Sequence, residues 1–170
     1  MAAAKSAFGW VFSVCILVFV TFASDALAQS RPYDISALDS SLRNAVETAR
    51  AAETRATQAA ARSQFDVAGT VRFRGDADDS YEGEGYGAGS GVNRHGYGLL
   101  GWADGEYYAG QFRGGTPNSG AKEGYGVYVF ADGRRYEGQW LNDLRHGYGV
   151  QWDPGGNLAF AGYWNNGEPP

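Results

Sequence analysis

The stretch GYGVYVFADGRRYEGQW at residues 124–140 has the pattern of a β-hairpin. Its first half alternates like a strand, and Tyr125, Val127 and Val129 share one face because successive side chains of a strand point to opposite sides. The Asp-Gly pair in ADG is a turn signal, since glycine accepts positive φ at no steric cost. The segment RRYEGQW then returns as the second strand. A single hairpin is only marginally stable in water, so this one needs neighbours.

Neighbours of the same design occupy most of the chain. The segment GYGLLGWADGEYYAGQF at 96–112 matches in order and length, GYGVQWDPGGNLAFAGYW at 147–164 matches with one added residue, and GTVRFRGDADDSYEGEG at 69–85 is a blurred copy. The insert GGTPNSGAK at 114–122 lengthens one interval between units. Repeated hairpins bury a core by stacking on one another. We therefore predict one repeat array over residues 67–170.

Glycines and aromatic residues recur in phase in these units. Each return strand carries an aromatic residue and, two residues later, a glycine, while a G-x-G element opens the next strand. A glycine within a strand costs entropy, and we expect an aromatic side chain of a neighbouring strand to compensate by lying across the bare backbone. The repeat-defining residues are Tyr81, Gly83, Gly96, Gly98, Tyr108, Gly110, Gly124, Gly126, Tyr136, Gly138, Trp140, Gly147, Gly149, Phe160, Gly162 and Trp164.

The elements YEGQW and RHGYGV, with DG before the next aromatic residue, resemble the MORN repeat. The resemblance covers residues 81–164 well and residues 69–80 weakly. It implies a mostly β fold, in which tandem hairpins join into one elongated, curved, single-layer antiparallel sheet. It also implies a non-catalytic role in protein interaction, self-association or attachment near membranes. The chain departs from the pattern at Gly85, which replaces the ring that closes the other units, at the insert, and at the terminal NNGEPP.

A long α-helix is predicted before the array. Apolar or small residues over 35–63 follow an unbroken 3,4 alternation, which is the spacing of a coiled-coil seam. Ser36 and Asp39 form a capping-box arrangement near its start. Beyond Leu42 the seam is nearly all alanine, so we expect either weak self-association or a lone helix that spaces the next domain from the membrane or packs along it. Residues 29–66 are accordingly interpreted as a helical stalk or coiled coil.

Residues 1–28 have the layout of a secretory signal helix. Lys5 precedes the apolar run FGWVFSVCILVFVTFA at 8–23, and the small-x-small element ALA ends at Ala28. The run is shorter than the roughly 20 residues of a comfortable transmembrane helix, which favours cleavage over retention as an inner-membrane anchor. The only cysteine, Cys15, lies in this run, so the mature chain would hold no thiol. We predict an exported protein, periplasmic or secreted.

The charge of the chain argues against two classes of partner. The formal net charge is -5 at pH 7, and the excess of acidic residues belongs to the array. Nucleic acids and anionic membrane surfaces are bound chiefly by lysine and arginine. We therefore predict no nucleic-acid partner, and membrane contact only if the signal segment is retained.

No catalytic, cofactor or metal site is predicted. His95 and His146 occupy equivalent places two units apart and would be separated by about 20 Å, taking two strands of about 4.8 Å per unit. The carboxylates Glu82, Glu137 and Asp132 are also in register with the repeat. No nucleophile turn such as GxSxG occurs. Repetition alone explains where these residues stand.

Aromatic residues on the sheet are the remaining candidate site, because large, stiff, amphipathic side chains dominate interfaces. A sheet of one layer cannot hide both faces. We predict an exported scaffold or binding module that engages a protein partner at the cell envelope, or self-associates through 35–63 or the sheet edge. The alternatives are carbohydrate or peptidoglycan binding, and an anionic phospholipid tether. The predicted interaction surface comprises Tyr97, Trp102, Tyr107, Tyr125, Tyr148 and Trp152.

Overall fold

The computed structural model describes residues 34–75, 79–88, 91–115 and 120–169. The predicted signal peptide lies outside these residues. The described residues contain one α-helix, α1 (Ser40–Ser63), followed by eight strands. The strands are β1 (Thr70–Arg74), β2 (Ser80–Tyr86), β3 (Asn93–Gly101), β4 (Tyr107–Arg113), β5 (Ala121–Val129), β6 (Arg135–Leu141), β7 (Leu144–Trp152) and β8 (Leu158–Trp164). Residues Ile35–Pro170 form one compact unit.

The strands form one open antiparallel sheet in the order β1 to β8, so each strand pairs with its neighbours in sequence. The stretch at 124–140 forms the hairpin of β5 and β6, as predicted. Glycines meet across the middle of each hairpin of the three clear units. The pairs are Gly98–Gly110, Gly126–Gly138 and Gly149–Gly162.

The ADG segments close the hairpins as tight turns. Gly133 has φ of +85°, a conformation that disfavours residues with a side chain. Its backbone N–H donates to the carbonyl of Phe130 at 2.9 Å. The carboxylate of Asp132 accepts the backbone N–H of Arg134 at 3.0 Å, which fixes the turn from the other side. The Asp-Gly signal therefore acts through both of its residues.

Helix α1 begins one residue after Asp39, which is its N-cap. The carboxylate of Asp39 accepts the backbone N–H groups of Ser41 at 2.8 Å and Leu42 at 3.0 Å. The sequence predicted a capping box starting at Ser36, three residues before the observed N-cap. Asp39 itself satisfies the free N–H groups of the first turn and keeps an extended backbone, with φ of -63° and ψ of 166°.

Removal of this cap should destabilise the protein modestly. We expect Asp39→Ala to lower the free energy of unfolding by about 1 kcal/mol, because two N–H groups lose their acceptor. Urea unfolding followed by circular dichroism measures the change. Asp39→Asn is the matched control, since an asparagine side chain also caps helices. Equal losses in both variants would contradict the role of Asp39 as N-cap.

Helix α1 crosses the sheet and contacts every strand from β1 to β7. Its 24 residues correspond to a length of about 36 Å. Eight strands side by side span about 34 Å. The helix is therefore about as long as the sheet is wide. No helix in the described part of the chain has both the length and the apolar character to cross a bilayer.

The predicted 3,4 seam of α1 faces the sheet. Its buried members are Leu42, Ala45, Ala49, Ala52, Ala56, Ala59 and Ser63. Alanine lets the helix approach the strands closely, and this is the packing of a helix along the next domain, one of the two predicted alternatives. In this structure the seam packs on the sheet and not on a second helix. The predicted single-layer architecture is corrected too, because α1 forms a second layer on one face of the sheet.

Side-chain alternation divides the sheet into two faces. The helix face, under α1, carries Ala109, Val127 and Val150, all 0% exposed. The opposite face, called here the ring face, carries the aromatic residues of the repeat. Its buried core consists of Tyr81, Val92, Leu100, Tyr108, Phe112, Tyr136, Trp140 and Trp164.

Candidate interaction surface

The aromatic residues of the ring face form one continuous series of edge-to-face contacts. Each ring meets the next at an interplanar angle of 78° to 88°, the arrangement that ring quadrupoles favour. Their order is Tyr81, Phe112, Tyr108, Trp140, Tyr136, Trp164 and Phe160. Neighbouring centroids lie 5.1 to 5.3 Å apart. The repeat residues thus build the core.

Each repeat tyrosine lies flat over a glycine of the adjacent strand. A Cβ atom added at Gly126 would stand 2.4 Å from the hydroxyl oxygen of Tyr108 and 2.5 Å from its ring. The same hydroxyl donates to the backbone carbonyl of Gln111 at 2.9 Å, which holds the ring in place. Equivalent contacts join Tyr81 to Gly98 and Tyr136 to Gly149. The bare backbone of the glycine is therefore covered as the sequence predicted.

Cations cover the rings from the solvent side. Arg94, Lys122 and Arg145 stand at equivalent places on β3, β5 and β7, each two residues before the first glycine of a G-x-G element. The cation-to-centroid distances are 5.8 Å for Arg94–Phe112, 5.3 Å for Lys122–Trp140 and 4.2 Å for Arg145–Trp164. We did not predict these cation contacts from the sequence, although a basic residue at the same place in every clear unit was a visible signal.

Lys122 has the most enclosed of these positions. Its ammonium lies 5.3 to 5.9 Å from four ring centroids, and 3.7 Å from the carboxylate of Asp143. Burial lowers the pKa of Lys122, while Asp143 opposes that shift. The four rings are Trp102, Tyr108, Tyr128 and Trp140. The positive charges of the ring face are thus engaged within the fold.

The buried tyrosines should make the fold sensitive to alkali. Burial raises the pKa of the hydroxyls of Tyr81, Tyr108 and Tyr136 well above the usual value, which is about 10. Because the hydroxyls lose their protons at lower pH in the unfolded chain than in the folded protein, folding is favoured most below a pH of about 10. The free energy of unfolding then falls as the pH rises further. We expect their ionisation to coincide with unfolding. Parallel titration of absorbance at 295 nm and circular dichroism tests this, and ionisation of all tyrosines before any loss of structure would contradict it.

A buried ion cluster joins α1 to the helix face. Arg135 donates two hydrogen bonds to Glu53 of the helix, at 3.1 and 2.8 Å, and one to Glu137 at 2.7 Å. Glu137 also accepts Arg50 at 3.0 Å and the indole N–H of Trp152 at 3.0 Å. Burial lowers the pKa of Arg135, but the two carboxylates outweigh it and hold the pKa above its usual value. The repeated carboxylate Glu137 therefore positions the helix.

Polar side chains form a second repeated network on the helix face. Gln111 accepts the backbone N–H of Tyr125 at 2.7 Å and donates to the hydroxyl of Tyr97 at 3.2 Å. Gln139 accepts the backbone N–H of Tyr148 at 2.7 Å and donates to the hydroxyl of Tyr125 at 3.1 Å. One glutamine thus connects the G-x-G tyrosines of two successive units.

The last unit breaks this network. Tyr163 stands where the inner units have glutamine, so the hydroxyl of the preceding tyrosine loses its donor. Leu141 stands where the inner unit has Arg113, and His146 stands where it has Glu123. Arg113 and Glu123 form an ion pair at 2.9 Å. Where the last two units meet, paired polar groups are therefore replaced by apolar and aromatic ones.

These replacements create an exposed group on the helix face, called here the terminal patch: Leu141, Leu144, His146, Tyr148 and Tyr163. The exposed fractions are 38% for Leu141, 44% for Leu144, 42% for Tyr148 and 49% for Tyr163. The rings of Tyr148 and Tyr163 meet edge to face at 5.5 Å, and His146 lies 5.9 Å from Tyr163. Leu141 pairs with Leu144 across β6 and β7, so the patch combines an apolar pair with an aromatic group.

The six residues of the predicted interaction surface differ in burial and lie on different faces of the sheet. Trp152 is 2% exposed under α1, so it presents no surface to a partner. Trp102 lies on the ring face against Tyr128, at 5.6 Å. Tyr148 belongs to the terminal patch and is the one exposed member of the six. The remaining three, Tyr97, Tyr107 and Tyr125, are half-buried on the helix face.

Neither histidine has the surroundings of a metal ligand. His95 accepts the backbone N–H of Gly114 at 3.4 Å, and His146 packs against a tyrosine of its own unit. In the parts of the chain that the structure describes, no group of three or more His, Cys, Asp or Glu side chains could hold a metal ion.

Comparison with known proteins agrees with this architecture. The family profile of the MORN repeat matches three consecutive segments, residues 93–107, 108–134 and 136–158. No curated protein matches the chain. MORN repeats are generally non-catalytic modules that bind proteins or membrane lipids. The matched segments run from β3 to the start of β8, through the three clear units. This chain is therefore a MORN repeat-containing protein.

Proposed function

We propose that this protein is an exported, non-catalytic scaffold that binds a protein partner at the cell envelope through the terminal patch. The patch itself is the observation that carries the proposal. Most other large side chains of the sheet are engaged within the chain, by α1 on one face and by cations on the other. An exposed apolar surface beside them is typical of a protein interface.

Binding of a protein has more support than binding of anionic lipid. Lipid headgroups are held by exposed lysine and arginine, whereas Arg94, Lys122 and Arg145 lie on aromatic rings. Carbohydrate or peptidoglycan remains the second candidate, because Tyr148 and Tyr163 present exposed rings with hydroxyl groups at their tips.

A photo-crosslinker in the terminal patch tests the protein partner. We would place p-benzoylphenylalanine at Tyr163 in producing cells, and use Tyr86, which is 57% exposed on β2, as the matched control. The proposal expects a discrete protein adduct from Tyr163 and none of the same mass from Tyr86. Identical adducts at both sites would contradict it, as would binding of purified protein to peptidoglycan with no protein adduct.

Export is a separate part of the proposal. It rests on the positive start, apolar run and ALA element of residues 1–28. The intact mass of protein recovered from the envelope or medium tests it. A mature chain beginning at Gln29 is expected, and a full-length chain found only in the cytoplasm would overturn this part alone.

A further inference from the structure

The two edge strands of the sheet differ in how they are protected. Edge strands of natural proteins commonly carry charges, bulges or proline, because an unprotected edge pairs with other chains. β1 is five residues long, and Arg72 and Arg74 lie within it. β8 is seven residues long, with the sequence LAFAGYW; it has a bulge at Ala159 but contains neither a charge nor proline. The β8 edge beyond this bulge, from Phe160 to Trp164, is therefore open to pairing.

The open edge and the terminal patch lie together. Tyr163 belongs to both, since it sits on β8 and its ring completes the patch. β8 pairs with β7 alone among the described strands, and the main contacts of α1 with the sheet extend only to β7. The last strand is thus the part of the sheet with one free edge and little helix cover.

We propose that the partner at this site is a second copy of the same chain, whose β8 pairs antiparallel with this one about a two-fold axis. The inference rests on the proposed function and names the partner of the same patch. A two-fold axis perpendicular to the sheet makes a strand antiparallel to its own copy, which continues the pattern of every other pair in the sheet.

The same axis places the two terminal patches on one face of the joined sheet. An axis perpendicular to the sheet leaves both helix faces on one side, so both copies of Tyr163 lie on that face and on strands that pair with each other. The patch contains no acidic or basic side chain other than His146. Two chains of net charge -5 can therefore meet there without like charges facing each other across the contact. The surface is thus self-complementary, as an interface between equal partners requires.

Two substitutions test the inference without disturbing the core. Tyr163→Gln gives the terminal unit the residue of the inner units, and the new amide can donate to Tyr148 as Gln139 does to Tyr125. Ala159→Lys places a charge at an exposed position of β8. The matched control is Tyr86→Gln, at an exposed tyrosine far along the sheet. Residues 29–170, which include the compact unit Ile35–Pro170, are the protein to use.

Sedimentation equilibrium measures the association. We expect the unsubstituted protein and Tyr86→Gln to form dimers, and both β8 variants to raise the dissociation constant at least about tenfold. Unchanged circular dichroism and thermal midpoint would show that these variants remain folded. A monomeric original protein, or variants that dimerise as well as it does, would overturn the inference. A monomer that still gives a foreign adduct from Tyr163 would leave the proposed function standing.

Discussion

Gly126→Ala is expected to lower the free energy of unfolding by about 3 kcal/mol, because the added methyl group has no room. It would stand 2.4 Å from the hydroxyl oxygen of Tyr108 and within 2.6 Å of two ring carbons. Tyr108 cannot move aside cheaply. Its side chain is 0% exposed, its hydroxyl is bonded to Gln111, and its ring meets Phe112 and Trp140 edge to face.

Gly115→Ala provides the matched control for this prediction. Gly115 is exposed, has no atom within 4 Å of an added Cβ, and does not have a positive φ. We expect this variant to be as stable as the original protein. Urea unfolding of both variants, followed by tryptophan fluorescence, measures the difference. Equal stability of Gly126→Ala and Gly115→Ala would show that the ring does not depend on the glycine beneath it.

Arg135→Met should have an effect of similar size on the other face of the sheet. The substitution keeps an unbranched side chain but leaves Glu53 buried without its cation, which typically costs about 3 to 5 kcal/mol. Glu137 keeps Arg50 and Trp152 as partners, so the loss falls mainly on the contact with α1. We expect faster hydrogen exchange along the helix as well as a lower free energy of unfolding.

A substitution at the neighbouring Arg134 serves as the control that separates the effect of burial from the effect of losing a positive charge. Arg134 has an exposed ion pair with Asp132 at 2.7 Å, and Arg134→Met should leave the free energy of unfolding close to that of the original protein. The double variant Glu53→Leu with Arg135→Met should recover most of the stability, because a buried ion pair can often be replaced by apolar groups. Similar losses from Arg134→Met and Arg135→Met would contradict the role of the buried cluster.

The hairpins could be predicted because their determinants are local and repeated. The spacing from Tyr136 to Gly138, and the turn at Asp132 and Gly133, recur from unit to unit and do not depend on distant contacts. The 3,4 seam of α1 was equally visible. Each of these patterns follows from the conformational preferences of residues close together in the chain, and such preferences can be recognised from the sequence alone.

The partner of the seam could not be predicted, because it depends on residues far apart in the chain. Glu53 and Arg135 are 82 positions apart, and Arg50 and Glu137 are 87 apart. An alanine seam shows that something packs closely against the helix, without showing what. The exposed tyrosines posed a similar problem. Tyr97 and Tyr148 occupy equivalent places, but the return strand of the same unit pairs Tyr97 with Gln111 and Tyr148 with Tyr163.

The match between the length of α1 and the width of the sheet makes the helix a molecular ruler for the array. One further unit would widen the sheet by two strands, or about 10 Å. The helix would need about six or seven more residues to cover them, at about 1.5 Å each. Gain or loss of units in evolution should therefore be accompanied by insertion or deletion in the helix, although the two segments lie apart in the sequence. In this protein the number of strands that can be covered is set by the length of an element that contains no repeat.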